Sequence, residues 1–413
     1  MLHPKAISKI ENKIKGTLIN CYIENNWPQY DSFAVHLKSL SDEVIKHKKE
    51  WIDHLDIYLI FYDMVYEAIK EKVDAGDKLN GNIWDILGER KSNSLTEDIK
   101  DYIISIPRSY NIYIPLINNL EDQPENIELS KEISLIIFKD ESQIPGGYST
   151  GLFRFNKLQP NTIYFRQYLT GYIGKRLESI CLKRVIGNFK VLLHQAIFLK
   201  LFKPISPMVG ALTMAAFRNH YHIRKISVIS EDLTNESYKL VETELPFDFS
   251  KFLNNIYFNF ENDYLKKAKE KGKFEIAIAS ILKKVVQLIE CEADETKRVK
   301  SAIEWCFNSY IVENQTMAFL QICIGLEALL GDDISISPLV ETLADRCSYL
   351  VSPDIKGRKS LKDQFKKIYK IRSKLIHGNV LELNSEQMNN LYFGREILEY
   401  AITKEINHLN LGK

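Results

Sequence analysis

Apolar residues recur at steps of three and four near the start of the chain, as in Ile52, Leu55, Leu59, Ile60, Met64, Val65 and Ile69. That spacing places them on one face of an amphipathic helix. Continued from Ile7 to about Asp77, it predicts two or three helices. The pattern changes between about Ser109 and Ile173. Asn111–Pro115, Ile133–Phe138 and Thr162–Phe165 are short, rich in β-branched and aromatic residues, and separated by turn formers, so they predict strands.

Helical spacing returns from Leu177 to Phe202 and stops at Lys203-Pro204. Lys225 to Glu244 alternates like a pair of strands around a turn at Asp232–Asn235. From Asn262 onward the pattern is almost wholly helical, broken by turn signals at Gly331-Asp332-Asp333, Ser352-Pro353 and Gly378-Asn379. The predicted class is α+β: a mixed helical and β N-terminal region followed by an all-α helical bundle. Divided along the chain, it gives a helical region 1–105, a mixed region 106–260, connecting helices 261–292 and a helical domain 293–413.

Composition narrows the function classes. The chain has 413 residues, beyond the ~250–300 at which single cores stop growing. Its 45% hydrophobic and 26% charged residues are those of a folded globular protein. A net charge of +1 excludes a molecule that attracts polyanions over its whole surface, so any affinity for nucleic acid must come from a local patch. The six cysteines are scattered without a CxxC pair and read as buried free thiols in a reducing compartment. The start, Met1 to Lys5, lacks the apolar core of a signal peptide, and the apolar stretch Val191–Phe202 is broken by His194 and Lys200. A cytoplasmic protein without a membrane span is the expectation.

A local patch exists. From Lys356 to Lys374 there are nine basic residues against one acid, Asp363. On a helix, Lys362, Lys366, Lys367, Lys370 and Lys374 form a positive ridge able to hold a phosphate backbone. The plainer reading is a solvated face balanced by acids elsewhere in the fold. Leu361, Phe365, Ile368 and Leu375 mark the apolar stripe of the same helix, and Arg372 falls within that stripe. A guanidinium there needs a carboxylate partner, an interface or a cleft, because an unpaired buried charge is strongly destabilising. His377 follows and directly precedes Gly378, a residue suited to the left-handed position that ends a helix. Arg372 and His377 lie about 140° apart on an ideal helix. They converge only if the last turn loosens or a second chain completes the site.

The segment Ile371 to Gly378, which reads IRSKLIHG, resembles the RxxxxH motif of HEPN ribonucleases, in the version seen in the Apea-like branch. Ala302–Trp305, Ile324–Gly331 and Leu343–Cys347 resemble earlier helices of that branch in the same order. The resemblance covers roughly the last 120 residues. It implies an all-α HEPN bundle that pairs as a homodimer and cleaves RNA, tRNA or other single-stranded loops, without metal. In that chemistry the RNA's own 2′-hydroxyl attacks, leaving a 2′,3′-cyclic phosphate and a 5′-hydroxyl. His377 would move protons and Arg372 would stabilise the crowded phosphorane.

Many HEPN ribonucleases carry Asn, Asp or His after the arginine, whereas this chain has Ser373. Ser373, Glu327 and Arg346 are candidate supporting residues; Glu327 could pair with either Arg372 or Arg346. The resemblance further implies a toxin or antiphage effector whose first two-thirds sense a phage or cellular trigger. The alternative is a non-catalytic HEPN-type module that binds RNA, a nucleotide or a partner protein.

Other constellations point nowhere specific. Asn219-His220-Tyr221-His222 lacks a third ligand nearby, and no metal or cofactor is expected. Pro145–Gly151 and Gly171–Arg176 do not supply GxxxxGK[ST] and read as turns. His194, among apolar neighbours, reads as a satisfied core histidine. Tyr164, Phe165, Tyr168 and Tyr172 could stack on bases, but alternation of this kind is usually core.

Overall fold

The structure, a computed structural model, describes residues 2–118, 125–145, 158–204, 225–234, 239–259, 262–331, 339–378, 381–409 and 411. The Asn219–His222 motif, Gly146–Gly151, and the turn residues Asn235, Asp332, Asp333 and Asn379 lie outside the described residues. The fold is α+β, with helices and strands mixed in the N-terminal part and helices alone in the C-terminal part. Two compact units are built from non-contiguous segments. The first comprises Met1–Ile112, Tyr168–Arg184 and Ser230–Thr243; the second comprises Tyr113–Gln167, Val185–Ile229 and Glu244–Lys413.

In the first unit α1 (Pro4–Ile19), α2 (Tyr30–Lys48) and α3 (His54–Asp74) are the helices that the opening periodicity predicts. Short strands β1 (Tyr22–Glu24), β2 (Trp27–Pro28) and β3 (Gly81–Asn82) form a small sheet, and α4 (Ile83–Leu87) and α5 (Glu89–Ser105) follow. Ile10, Ile14 and Leu18 of α1 and Phe33, Leu37, Leu40 and Val44 of α2 meet Ile57, Phe61, Val65 and Ile69 of α3 in one core. Leu55, placed by its spacing on the apolar face of α3, is instead 49% exposed. Ile57, in the same turn, is fully buried, and Leu55 lies about 160° from it around the helix, on the side away from the core.

Asp53 and Asp56 open α3 as a reciprocal capping box, each side chain accepting from the other's backbone N–H. Arg176 donates to both, at 3.0 Å to Asp53 and 3.1 Å to Asp56. Lys175 reaches Asp63 at 3.1 Å. The cations of the Gly171–Arg176 segment are thus engaged by carboxylates, as suits a structural turn.

The remaining strands are β4 (Arg108–Asn118), β5 (Ile127–Glu128), β6 (Ile133–Ile137), β7 (Thr162–Gly171), β8 (Phe202–Pro204), β9 (Ser227–Asp232), β10 (Lys239–Glu244) and β11 (Ile256–Phe258). Six of them form a sheet in the order β10-β9-β4-β7-β6-β5, and β8 pairs with β11. The β6–β7 register is antiparallel, with Leu135 opposite Phe165 and Ile137 opposite Ile163. Every residue of β6 is buried, so this strand is covered on both faces.

The helices of the second unit begin with the greater part of α6 (Ile180–Phe198). They continue with α7 (Phe247–Asn254), α8 (Asp263–Glu270), α9 (Phe274–Glu290), α10 (Asp294–Ile311) and α11 (Gln315–Leu330). The last three are α12 (Leu339–Val351), α13 (Ile355–Ile376) and α14 (Ser385–His408). A chain of rings runs through the core: Phe165 to Phe189 at 5.4 Å, Phe189 to Phe249 at 5.9 Å, and Phe249 to Phe307 at 5.6 Å. It ties the sheet to α6, α7 and α10.

The helix α11 is apolar nearly all round, with Phe319, Ile322, Cys323 and Leu326 fully buried, and packs against its neighbours in the bundle. Gly325 makes one of these contacts possible. A Cβ at Gly325 would lie 2.6 Å from Leu398 Cδ2 and 3.3 Å from Trp305 Cβ, so α14 and α10 approach α11 where the side chain is missing. All six cysteines are free, five of them buried and Cys291 partly so. Among the described residues no helix is long and apolar enough to cross a membrane.

Candidate functional site

Arg372 lies on α13, whose buried residues are Phe365, Ile368 and Tyr369. Its guanidinium faces α11 from inside the apolar stripe, and the side chain is 29% exposed. Nη2 is 3.0 Å from Glu327 Oε1 and donates to Oε2 at 3.2 Å. Of the two arginines open to Glu327 on sequence grounds, Arg372 is the one seen to pair with it. Arg346, on α12, donates through Nη1 to the Leu330 carbonyl at 2.8 Å. That bond satisfies a backbone acceptor at the end of α11.

The Tyr369 ring completes the environment. Arg372 Cζ lies 5.9 Å from its centroid, within cation–π range. The Tyr369 hydroxyl approaches the Cys323 carbonyl at 3.5 Å. Burial, and then the Glu327 carboxylate, push that phenol well above the ordinary tyrosine range. Tyr369 was not singled out on sequence grounds. Its spacing from Arg372, three residues back on the same helix, was the available signal.

His377 caps α13: its N–H donates to the Ser373 carbonyl at 3.0 Å, and Gly378 follows with φ +71° and an N–H bond to the Leu375 carbonyl at 3.2 Å. The predicted helix end is therefore present, glycine in the left-handed conformation included. The imidazole of His377 is exposed and makes no hydrogen bond or ion pair among the described residues. Ser373 is exposed as well.

The basic ridge is divided in its engagements. Lys362 reaches Asp345 at 2.6 Å and Glu341 at 3.2 Å, and Lys366 pairs with Glu341, all across to α12. Here the reading of a face balanced by acids elsewhere holds. Lys367, Lys370 and Lys374 are exposed and make no ion pair among the described residues. Three of the four aromatic residues considered for base stacking, Tyr164, Phe165 and Tyr172, are buried and serve as core.

A second polar cluster escaped the sequence reading. His194 on α6, Cys306 on α10 and Glu399 on α14 bring ligand atoms within 4.8 Å of one another. His194 is buried as expected, yet it is not satisfied: Gln195 contacts Nδ1 at 3.1 Å, while Nε2 has no hydrogen-bond partner. The three residues stand far apart in the chain, so no local spacing could have announced them. These are the described residues that could hold a metal ion.

Compared with known proteins, the chain matches no family model, no curated protein and no solved structure.

Proposed function

We propose that the protein is a metal-independent endoribonuclease of the HEPN type, with Arg372 and His377 as its catalytic pair. The observation that carries this reading is the placement of Arg372: a guanidinium set into the apolar stripe of α13, with a helix-ending His377-Gly378 just beyond it. Arg372 supplies the fixed positive charge for a pentacoordinate phosphorane, and His377 supplies the group that moves protons. The substrate is RNA, since the attacking nucleophile is the 2′-hydroxyl that DNA lacks. Lys367, Lys370 and Lys374 supply an exposed positive track for the phosphate backbone.

Two copies joined through the helical domain would bring two Arg372/His377 pairs to one cleft, and the first two-thirds of the chain would gate the site in response to a phage or cellular trigger. In this reading the protein acts in the cytoplasm as an antiphage or toxin effector, the role that the resemblance to the Apea-like branch implies. The decisive test is incubation of purified full-length protein with single-stranded RNA and tRNA, followed by analysis of the product ends. Products carrying 2′,3′-cyclic phosphate and 5′-hydroxyl groups, lost in Arg372→Ala and His377→Ala, are the expected result. Cleavage that persists in both variants would sink the proposal.

A second reading, a binding module that holds RNA, a nucleotide or a partner protein without cutting, is favoured by one observation. The Arg372–Glu327 pair, at 3.0 Å, is also what a purely structural ion pair needs. Tight RNA binding without product formation by protein exposed to infected-cell extract would select it.

A further inference from the structure

The cluster of His194, Cys306 and Glu399 lies apart from the Arg372 reading and does not depend on it. We propose that these three side chains bind one divalent transition-metal ion of the zinc class. A nitrogen, a sulfur and an oxygen ligand from three separate helices of one compact unit have their ligand atoms mutually within 4.8 Å. In a tetrahedral zinc site, bonds of about 2.0–2.3 Å set the ligand atoms roughly 3.3–3.8 Å apart. His194 Nε2 and Glu399 Oε1 are already 3.9 Å apart. Closing the rest of the triangle takes side-chain shifts of about 1 Å or less.

A plain buried hydrogen-bond network fits less well. It would have Nε2 donate to a carboxylate oxygen about 2.8–3.0 Å away. The 3.9 Å observed is too long for that bond, and Nε2 has no partner although the residue is only 3% exposed. A shared ion satisfies both groups at once. The surroundings match an outer shell: the Tyr310 hydroxyl bonds the Glu399 carboxylate, and the Gln195 amide lies 3.1 Å from Nδ1. The nitrogen and oxygen of an amide exchange places by a flip. With its oxygen toward the ring, Gln195 accepts from Nδ1–H and leaves the Nε2 lone pair to the ion.

Proton balance is simple. His194 binds through the lone pair of a neutral imidazole and so loses no proton. Glu399 binds as the carboxylate, and Cys306 gives up its thiol proton to solvent, so thiolate binding accounts for one proton released per ion. Arg395 is occupied elsewhere, donating to the Ser309 carbonyl at 2.8 Å and stacking on Tyr310 at 4.1 Å, and its charge offsets one of the two anionic ligands. Mixed nitrogen, sulfur and oxygen donors select zinc over magnesium or calcium, which take oxygen ligands. Glu399, with 19% of its side chain exposed, gives the ion a route in. Three protein ligands leave a fourth position for solvent, the pattern of an open site.

The test is titration of chelator-stripped full-length protein with Co²⁺, followed by competition with Zn²⁺. One equivalent bound per chain, a thiolate-to-cobalt absorption band in the near ultraviolet and its loss on adding Zn²⁺ are expected. Cys306→Ser should abolish the band, and His194→Gln or Glu399→Gln should weaken binding at least tenfold, with circular dichroism confirming the fold. Cys291→Ser, at a half-buried cysteine outside the cluster, should keep both band and affinity. Glu399→Gln changes a partly exposed position and remains informative if the two buried variants fail to fold. Absence of stoichiometric binding by folded protein, or a band that survives Cys306→Ser, would overturn the proposal. RNA product ends do not enter either readout, so this proposal and the ribonuclease reading fail separately.

Discussion

A single guanidinium nitrogen of Arg372 meets both carboxylate oxygens of Glu327, at 3.0 and 3.2 Å, and so links α13 to the most apolar helix of the bundle. Both side chains are about one-quarter exposed, which places the pair between a surface bridge and a buried one. Glu327→Ala, which strands the guanidinium, should destabilise the protein by about 1–2 kcal/mol in urea unfolding. Glu327→Gln, which keeps the shape and an acceptor oxygen, should lose less. If Arg372 stabilises the phosphorane, Arg372→Ala should slow RNA cleavage by about 10²–10³. An equal loss in Glu327→Gln would mean that the ion pair itself, and not the arginine, is what the reaction needs.

His377 offers the cleaner separation of activity from stability. Its imidazole is exposed and makes no hydrogen bond among the described residues, so His377→Ala should leave the urea midpoint unchanged. Cleavage should nevertheless fall by about 10²–10⁴, the range for losing a general acid or base. A variant that retains full activity would remove His377 from the mechanism.

The lysines of α13 should differ in what they give to RNA binding. Replacing Lys367, Lys370 and Lys374 together by Gln should reduce the slope of log affinity against log salt by about 2 for single-stranded RNA. Replacing Lys362 and Lys366, which Glu341 and Asp345 already engage, should change the slope less. Filter binding across a salt series measures both. Equal effects from the two sets would show that the pairs to α12 open when RNA arrives.

Asp56 carries a pH dependence of known sign. Burial, with the Asp53 charge beside it, raises its carboxyl from 3.8 to about 6, and Arg176 opposes that rise only in part. The folded state therefore holds the proton more tightly than the unfolded chain. As pH falls through about 6, stability is gained, and the gain is complete near the ordinary value of 3.8. Relative to Asp56→Asn, which does not titrate, the natural protein should gain about 2 kcal/mol between about pH 7 and about pH 4.5. Urea unfolding of both forms at the two pH values checks this, and a constant difference would refute it.

Much of the fold was legible because its elements obey local rules. The strands at β4, β6 and β7 and the end of α13 at His377-Gly378 follow from β-branched runs or turn residues. The position of Arg372 inside an apolar stripe was equally visible. Pairing was not. That Glu341 and Asp345 engage Lys362 and Lys366 depends on how α12 packs on α13, which no periodicity encodes. The convergence of His194, Cys306 and Glu399 is harder still, since each lies on a separate helix and each alone reads as an ordinary residue. The compact units likewise draw on stretches far apart in the chain, which a reading from one end to the other cannot show.

The two residues of the candidate pair are held very differently. Arg372 is braced by Glu327 on α11 and by the Tyr369 ring, whereas His377 stands at the open end of α13 with no side-chain hydrogen bond among the described residues. One member is thus referenced to the core and the other to whatever lies outside. If the pair is catalytic, a ligand strand or a second copy that fixes the imidazole would switch the site on at the cost of ordering a single side chain, leaving the bundle as it is.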